Sequence, residues 1–156
     1  MSSLLKLRIT LLHTDPAVWR QIVIPDSFFL HHLHHAIQIS FGWKNYHLYS
    51  FAVGIETIGN PLLLDDDRVI EDRKILISKA FDTNFKSIRY DYDFGDSWRH
   101  EVVLEEILPN DKGLTAPFCL NGSMACPPED CGGIQGYEEL KESMLNKEHP
   151  RHEEFI

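Results

Sequence analysis

Cationic side chains, cysteines and long apolar runs are all scarce in this sequence, and each scarcity removes a class of function. Fifteen Lys and Arg stand against 24 Asp and Glu, a formal charge of −9. Nucleic-acid binding draws most of its affinity from clustered cations on phosphates, and no basic cluster is visible, so direct nucleic-acid contact is not expected. The three cysteines are an odd number and do not suit the disulfide framework of a small secreted domain. No apolar run approaches the ~18 residues of a membrane span. The N-terminal MSSLLKLRITLL has the apolar content of a signal peptide, but Lys6, Arg8 and Thr10 alternate with its apolar residues and no small-residue cleavage site follows. The expectation is a cytoplasmic protein without a membrane partner.

What is present suits one ordinary domain. The chain has 156 residues, of which 43% are hydrophobic and 25% charged, enough to bury a core without staples. A single domain over residues 1–156 is expected. Leu5, Leu7, Ile9 and Leu11 alternate with polar neighbours as strand residues do, and Val18 to Ile24 is a second β-rich run that Pro25 ends, with Asp15 and Pro16 between them. A helix is predicted from about Phe28 to Phe41, capped by Asp26 or Ser27 and stopped by Gly42. Its apolar stripe is read as Phe29, Leu33, Ala36, Ile37 and Ser40, with His31, His34, His35 and Gln38 opposite, although His34 lies near the stripe's edge. Next come a strand near Tyr46 to Val53, an acidic loop at Asp65 to Asp67 and a short element around Ile75 to Phe81. Residues 109–136, rich in Pro and Gly, read as a long ordered loop before a last helix from Tyr137 to about Asn146. This order implies an α+β fold, a mainly antiparallel sheet packed against one or two helices.

The densest chemistry lies in SIRYDYDFGDSWRHEVVLEEIL, Ser87 to Leu108. Ile88, Tyr90, Tyr92 and Phe94 alternate with charged residues, and Trp98, His100, Val102 and Leu104 on the return strand alternate with Arg99, Glu101, Val103 and Glu105. A three-residue loop of Gly95, Asp96 and Ser97 would set Phe94 opposite Trp98, Tyr92 opposite His100, and Asp93 opposite Arg99 as an ion pair. The DFG at Asp93 to Gly95 is no kinase motif, because the partner motifs are missing, and Ser97 with His100 lacks the nucleophile elbow of a hydrolase.

Cys119, Cys126 and Cys131 fall together in CLNGSMACPPEDCGG. With His100 as a fourth ligand they could hold zinc, but gaps of six and four residues differ from the short pairs of zinc knuckles, and small thiols packed as hydrophobes are the competing reading. His31 and His35, spaced i, i+4, could share a metal on a helix, yet HHLHH also reads as a solvated face.

Four segments together resemble the plasmid pRi ORF-3-like family: VWRQIVIP from Val18, LHHAIQISFGW from Leu33 followed by His47 and Leu48, YDYDFGDSWRHEVVLEEI from Tyr90, and CPPEDCGGIQGYEEL from Cys126. The resemblance covers nearly the whole chain and implies a compact α+β domain. Some similar proteins are associated with mobile elements, which implies an accessory factor of mobile DNA as one alternative function. It also implies a family pattern that runs past HPRHEE into a further Trp-containing stretch, so a C-terminal part is expected to be missing here. The family pattern emphasises the hairpin tip, the His34/Trp43/His47 group and the PPEDCGG loop, and these are expected to converge on one surface. The leading expectation is a non-catalytic module whose polar cleft, bordered by Asp93, Asp96, Trp98, His100, Glu129 and Asp130, binds a protein partner or small ligand. The alternative is a metal-binding protein or metal-dependent enzyme using Cys119, Cys126, Cys131 and a histidine, or the carboxylates with His100.

Overall fold

Alternation of apolar and polar residues every second position builds most of the molecule. In the computed structural model, which describes residues 2–81 and 85–155, the chain runs β1 (Ser3–Leu11), β2 (Val18–Pro25), α1 (Leu30–Phe41), β3 (Tyr49–Val53), β4 (Glu56–Gly59), α2 (Pro61–Leu64) and β5 (Ile70–Glu71). A 3-10 turn (Asp72–Lys74), α3 (Ile77–Ala80), β6 (Ser87–Tyr92), β7 (Trp98–Pro109), β8 (Phe118–Ser123), α4 (Gly133–Leu145) and a last 3-10 turn (His152–Phe155) complete it. The eight strands form one sheet in the order β5-β4-β3-β6-β7-β1-β2-β8. Every pairing is antiparallel except the short parallel contact of β4 with β5, so the α+β class with a mainly antiparallel sheet holds, and the sheet is large relative to its helices. No helix among the described residues is long and apolar enough to cross a membrane.

The core lies between the sheet and α1. Leu7 and Ile9 of β1, Ile22 and Ile24 of β2, Phe51 of β3, and Tyr90, Trp98 and Val102 of the hairpin are almost fully buried. Leu30, Leu33, Ile37 and Phe41 of α1 join the same cluster. The buried stripe of α1 therefore differs from the expected one: Phe29, Ala36 and Ser40 give way to Leu30, His34, Gln38 and Phe41. The helix begins after Phe29, and neither Asp26 nor Ser27 caps it. His32 Nδ1 accepts the Phe29 backbone N–H at 2.9 Å, satisfying an orphan amide from within the first turn.

Two boundaries also move. The stretch read as a loop contains β8, an edge strand with all six residues exposed that pairs with β2; without an inward apolar face it carries no period-two signal. Helix α4 starts at Gly133, four residues before Tyr137.

The hairpin register is corrected as well. Tyr92 pairs with Trp98, Asp91 with Arg99 and Tyr90 with His100, so the loop is five residues, Asp93 to Ser97. Asp93 takes the left-handed region at φ 61, its Oδ1 accepts the N–H of Gly95 at 3.1 Å and of Asp96 at 3.2 Å, and its carbonyl accepts from Ser97 N. This Asx turn ends the ladder two residues early on β6, while β7 still starts at Trp98, and leaves Phe94 52% exposed. A slip of two residues keeps every side chain that remains in the ladder on its expected face, so the inward tyrosines, Trp98 and His100 stay inward, and only Phe94 leaves the set. The Asp93–Arg99 pair does not form; Asp91 faces Arg99 and meets Arg89 at 3.2 Å.

Because α1 presses one face on the sheet, truncating that face should be far costlier than truncating the other. Leu33→Ala, at 0% exposure, is expected to lose about 2–5 kcal/mol in urea unfolding, whereas Ile39→Ala, at 82%, should stay within about 0.5 kcal/mol.

Candidate functional site

Two tyrosine hydroxyls on β6 organise the site. Tyr90 and Tyr92 are both 0% exposed, and a buried hydroxyl without a partner is costly. Gln38 Nε2 donates to the Tyr90 hydroxyl at 2.9 Å, so that hydroxyl donates to His34 Nδ1 at 2.7 Å. His34 then carries its proton on Nε2, which donates to Asn45 Oδ1 at 2.9 Å. Gln38 Oε1 accepts the Asn45 backbone N–H at 2.8 Å, closing a circuit that ties α1 to the loop ahead of β3. The ring of His34 lies stacked on Tyr49 at 3.4 Å between centroids, and Tyr49 donates its hydroxyl to the buried Asp72 carboxylate.

Tyr92 ties that same loop ahead of β3 to the one ahead of α4. Its hydroxyl accepts the Tyr46 N–H at 3.0 Å and donates to Glu129 Oε1 at 2.9 Å. Lys44 N also donates to Glu129 Oε1, at 2.7 Å. Burial first, then the Glu129 contact, raises the Tyr92 hydroxyl pKa, so it remains a donor. Trp43 covers this corner, stacked on Trp98 at 5.4 Å and 5.5 Å from Tyr92.

These ties leave three carboxylates around His47. Its Nε2 lies 2.8 Å from Asp130 Oδ1, 3.4 Å from Asp93 Oδ2 and 3.8 Å from Glu129 Oε2. The close Asp130 contact lacks the alignment of a hydrogen bond, so the buried Nε2, like Glu129 Oε2, has no hydrogen-bond partner among the described residues. One oxygen of Asp93 and one of Glu129 are held by backbone amides or a tyrosine, and the other oxygen of each faces the imidazole. The ligating atoms of His47, Asp93 and Asp130 all lie within 4.8 Å of one another, the one such group of three or more among the described residues. Separations near 3 Å are those of neighbouring ligands on one cation with bonds of roughly 2.0–2.2 Å. Fixing one carboxylate oxygen while freeing the other is how outer-shell contacts prepare metal ligands.

The expected convergence of the hairpin tip, the His34/Trp43/His47 group and the PPEDCGG loop is therefore present. Asp93, Glu129 and Asp130 meet there. Asp96 stands beside them but serves the backbone, for its Oδ2 accepts the Gly132 N–H at 3.2 Å and so latches the tip to the start of α4. Gly133 permits that approach, with φ 72 and a Cβ that would fall 2.7 Å from the Asp96 carbonyl oxygen. Trp98 and His100 do not border the cleft, since both are 0% exposed beneath α1. His100 Nδ1 donates to the Tyr90 carbonyl at 3.1 Å and its ring meets Phe41 edge-on, so it joins neither the carboxylates nor the thiols.

The three cysteines do not assemble into a zinc site either. Cys119 is exposed on β8, where its thiol meets the Asn121 carbonyl. The Cys126 thiol accepts from Arg20 Nη2 at 3.0 Å, and burial pushes its pKa up to about 11. Burial likewise raises Cys131 to about 11, and both thiols pack against the core. His31 and His35 touch ring to ring at 4.6 Å and belong to no group of three ligands among the described residues. His47 and Tyr92 carry roles that residue patterns alone do not assign. The one local sign was a histidine in a polar loop just after the Gly42 helix stop.

Comparison with known proteins agrees with this architecture. The plasmid pRiA4b ORF-3-like protein family model matches residues 3–156. An uncharacterized protein of Sinorhizobium fredii, y4hQ, is 39% identical over all of this chain and 80% of its own length. A crystal structure of a protein of unknown function from Methanosarcina mazei Go1 superposes with a TM-score of 0.91 at 34% identity, covering 100% of this chain and 89% of that one.

The buried histidines give the fold an acid dependence. Burial lowers His34 to about 3 and His100 to about 4, below the ~6.5 of an unfolded histidine. The unfolded chain therefore takes up these protons first; the stabilisation is complete above pH ~6.5 and is lost as pH falls toward the folded values. At pH 5 each histidine should have cost about 2 kcal/mol. Urea midpoints between pH 7 and 5 should fall less steeply in His34→Gln than in the parent, whatever that variant's stability at pH 7.

Proposed function

The chain belongs to the plasmid pRiA4b ORF-3-like family, and within that frame we propose that it is a binding module whose polar cleft holds a divalent transition-metal ion between His47, Asp93 and Asp130, with Glu129 in reach. The observation that carries this reading is the His47 Nε2 atom, buried without a hydrogen-bond partner and faced by three carboxylates at 2.8–3.8 Å. Carboxylates set this close repel one another unless a positive charge lies between them. One imidazole with two or three carboxylate oxygens suits Mn²⁺, Fe²⁺ or Zn²⁺ better than the all-oxygen preference of Ca²⁺ or Mg²⁺.

The cluster is assembled from the loop before β3, the hairpin tip and the loop before α4, so a bound ion would cross-link three segments that the sheet alone does not join. The partner or small ligand of the cleft would then meet the module at or beside the ion. Three unpaired thiols favour a reducing, cytoplasmic setting.

Untagged protein stripped of metal and desalted should bind Mn²⁺ or Zn²⁺ with one site per chain in calorimetric titration. His47→Gln and Asp130→Asn should each weaken that site by roughly 10- to 100-fold or more while thermal unfolding of the metal-free protein barely moves. Absence of saturable binding by either metal below about 1 mM, or binding indifferent to both substitutions, would remove the proposal.

A further inference from the structure

His47 also lines a second feature, a cavity of ≈ 530 Å³ set between the His-bearing face of α1, the loop before β3, α2 and the 3-10 turn. That volume lies in the range of small-molecule sites. Its one permanently charged lining residue among the described residues is a cation, Arg73, while burial keeps His31 and His34 neutral. In a chain of net charge −9 no Asp or Glu among the described residues lines this cavity, whereas Arg73 and four histidines do. The Asp72 carboxylate beneath it is 1% exposed and already accepts the Tyr49 hydroxyl, and Asp93, Glu129 and Asp130 gather around the Nε2 of His47, which borders both sites.

His34 and Tyr49 spend their polar atoms within the protein, but other donors around the wall are unspent. Arg73 makes no ion pair or hydrogen bond with the described residues, and it is exposed to the cavity mouth. His31 Nδ1 is buried without a hydrogen-bond partner among them, 3.8 Å from Asp72 Oδ2. Asn60 uses its Oδ1 to accept from Leu62 and Leu63, which leaves its amide N–H groups as donors. Leu48, Leu63 and Leu64 supply an apolar wall beside them, and Leu63 is 60% exposed there. A guanidinium and imidazoles on one side and leucines on the other match a ligand with an anionic head and an organic body.

We propose that this cavity binds a small organic anion, a phosphate or carboxylate on an aromatic or aliphatic body, with Arg73 as the ion-pair partner of its head. The site does not depend on the cation proposed above, although His47 borders both, so a ligand held here would lie beside the ion.

The test uses the metal-stripped, desalted full chain, so that failure of the cation reading leaves it intact. Phenyl phosphate, benzoate, inorganic phosphate and phenol are titrated separately while imidazole resonances are followed by NMR. At least one of phenyl phosphate and benzoate should saturate at millimolar concentration or below, about tenfold tighter than phenol or inorganic phosphate, and should shift His31 and His35. Arg73→Gln, a surface substitution, should weaken that anion about tenfold without moving the thermal midpoint. Phenol binding as tightly as the anions, undiminished binding in Arg73→Gln, or no saturation by either organic anion up to about 10 mM would overturn the proposal.

Discussion

Two tyrosine hydroxyls cannot be left unpaired in the core, and much of this molecule is arranged around that requirement. Tyr90 and Tyr92 lie two residues apart on the inward face of β6, where both are fully buried. Tyr90 is satisfied by His34 and Gln38. Those two side chains in turn hold Asn45, and so the position of the loop ahead of β3. Tyr92 is satisfied by Tyr46 N and Glu129, which fixes the loop ahead of α4. A fully paired buried network specifies one arrangement because each broken member strands its neighbour.

The carboxylate cluster is a consequence of that placement. Glu129 arrives because Tyr92 and the Lys44 amide hold one of its oxygens; Asp93 arrives because its own turn holds one of its oxygens. In each case the free oxygen faces His47. A half-satisfied, largely buried carboxylate is expensive on its own, and Asp130 adds a further negative group 2.8 Å from His47 Nε2. A protonated imidazole could offset only part of this charge. A divalent ion offsets more of it and gives the misaligned Nε2 a partner.

How much of this was legible in the sequence follows from which interactions are local. Alternation exposed β1, β2 and the inward sets of the hairpin, because period two is written residue by residue. The hairpin register escaped, since a slip of two leaves the pattern unchanged and only the Asx turn at Asp93 decides it. The exposed edge strand β8 escaped for the complementary reason: it has no buried face to leave a pattern. At the site, Asp93, Glu129 and Asp130 stood out as carboxylates in loops, and the family resemblance pointed to their meeting with His47. The cysteines stand out by falling together in one short segment, yet Arg20 occupies one and β8 carries another outward. His100 looked like a cleft residue because its inward direction was clear while the helix covering it was not. The tyrosine circuit joins residues up to 56 positions apart, and no local pattern encodes it.

On the proposed reading, a cation rather than a closed ion pair completes the cluster around His47. Crystals soaked in Mn²⁺ and measured near the manganese absorption edge address this directly. The account predicts an anomalous peak bounded by His47 Nε2, Asp93 Oδ2 and Asp130 Oδ1, at roughly 2.0–2.3 Å from each. A map without that peak, with His47 Nε2 turned into a well-aligned hydrogen bond to Asp130, would contradict it.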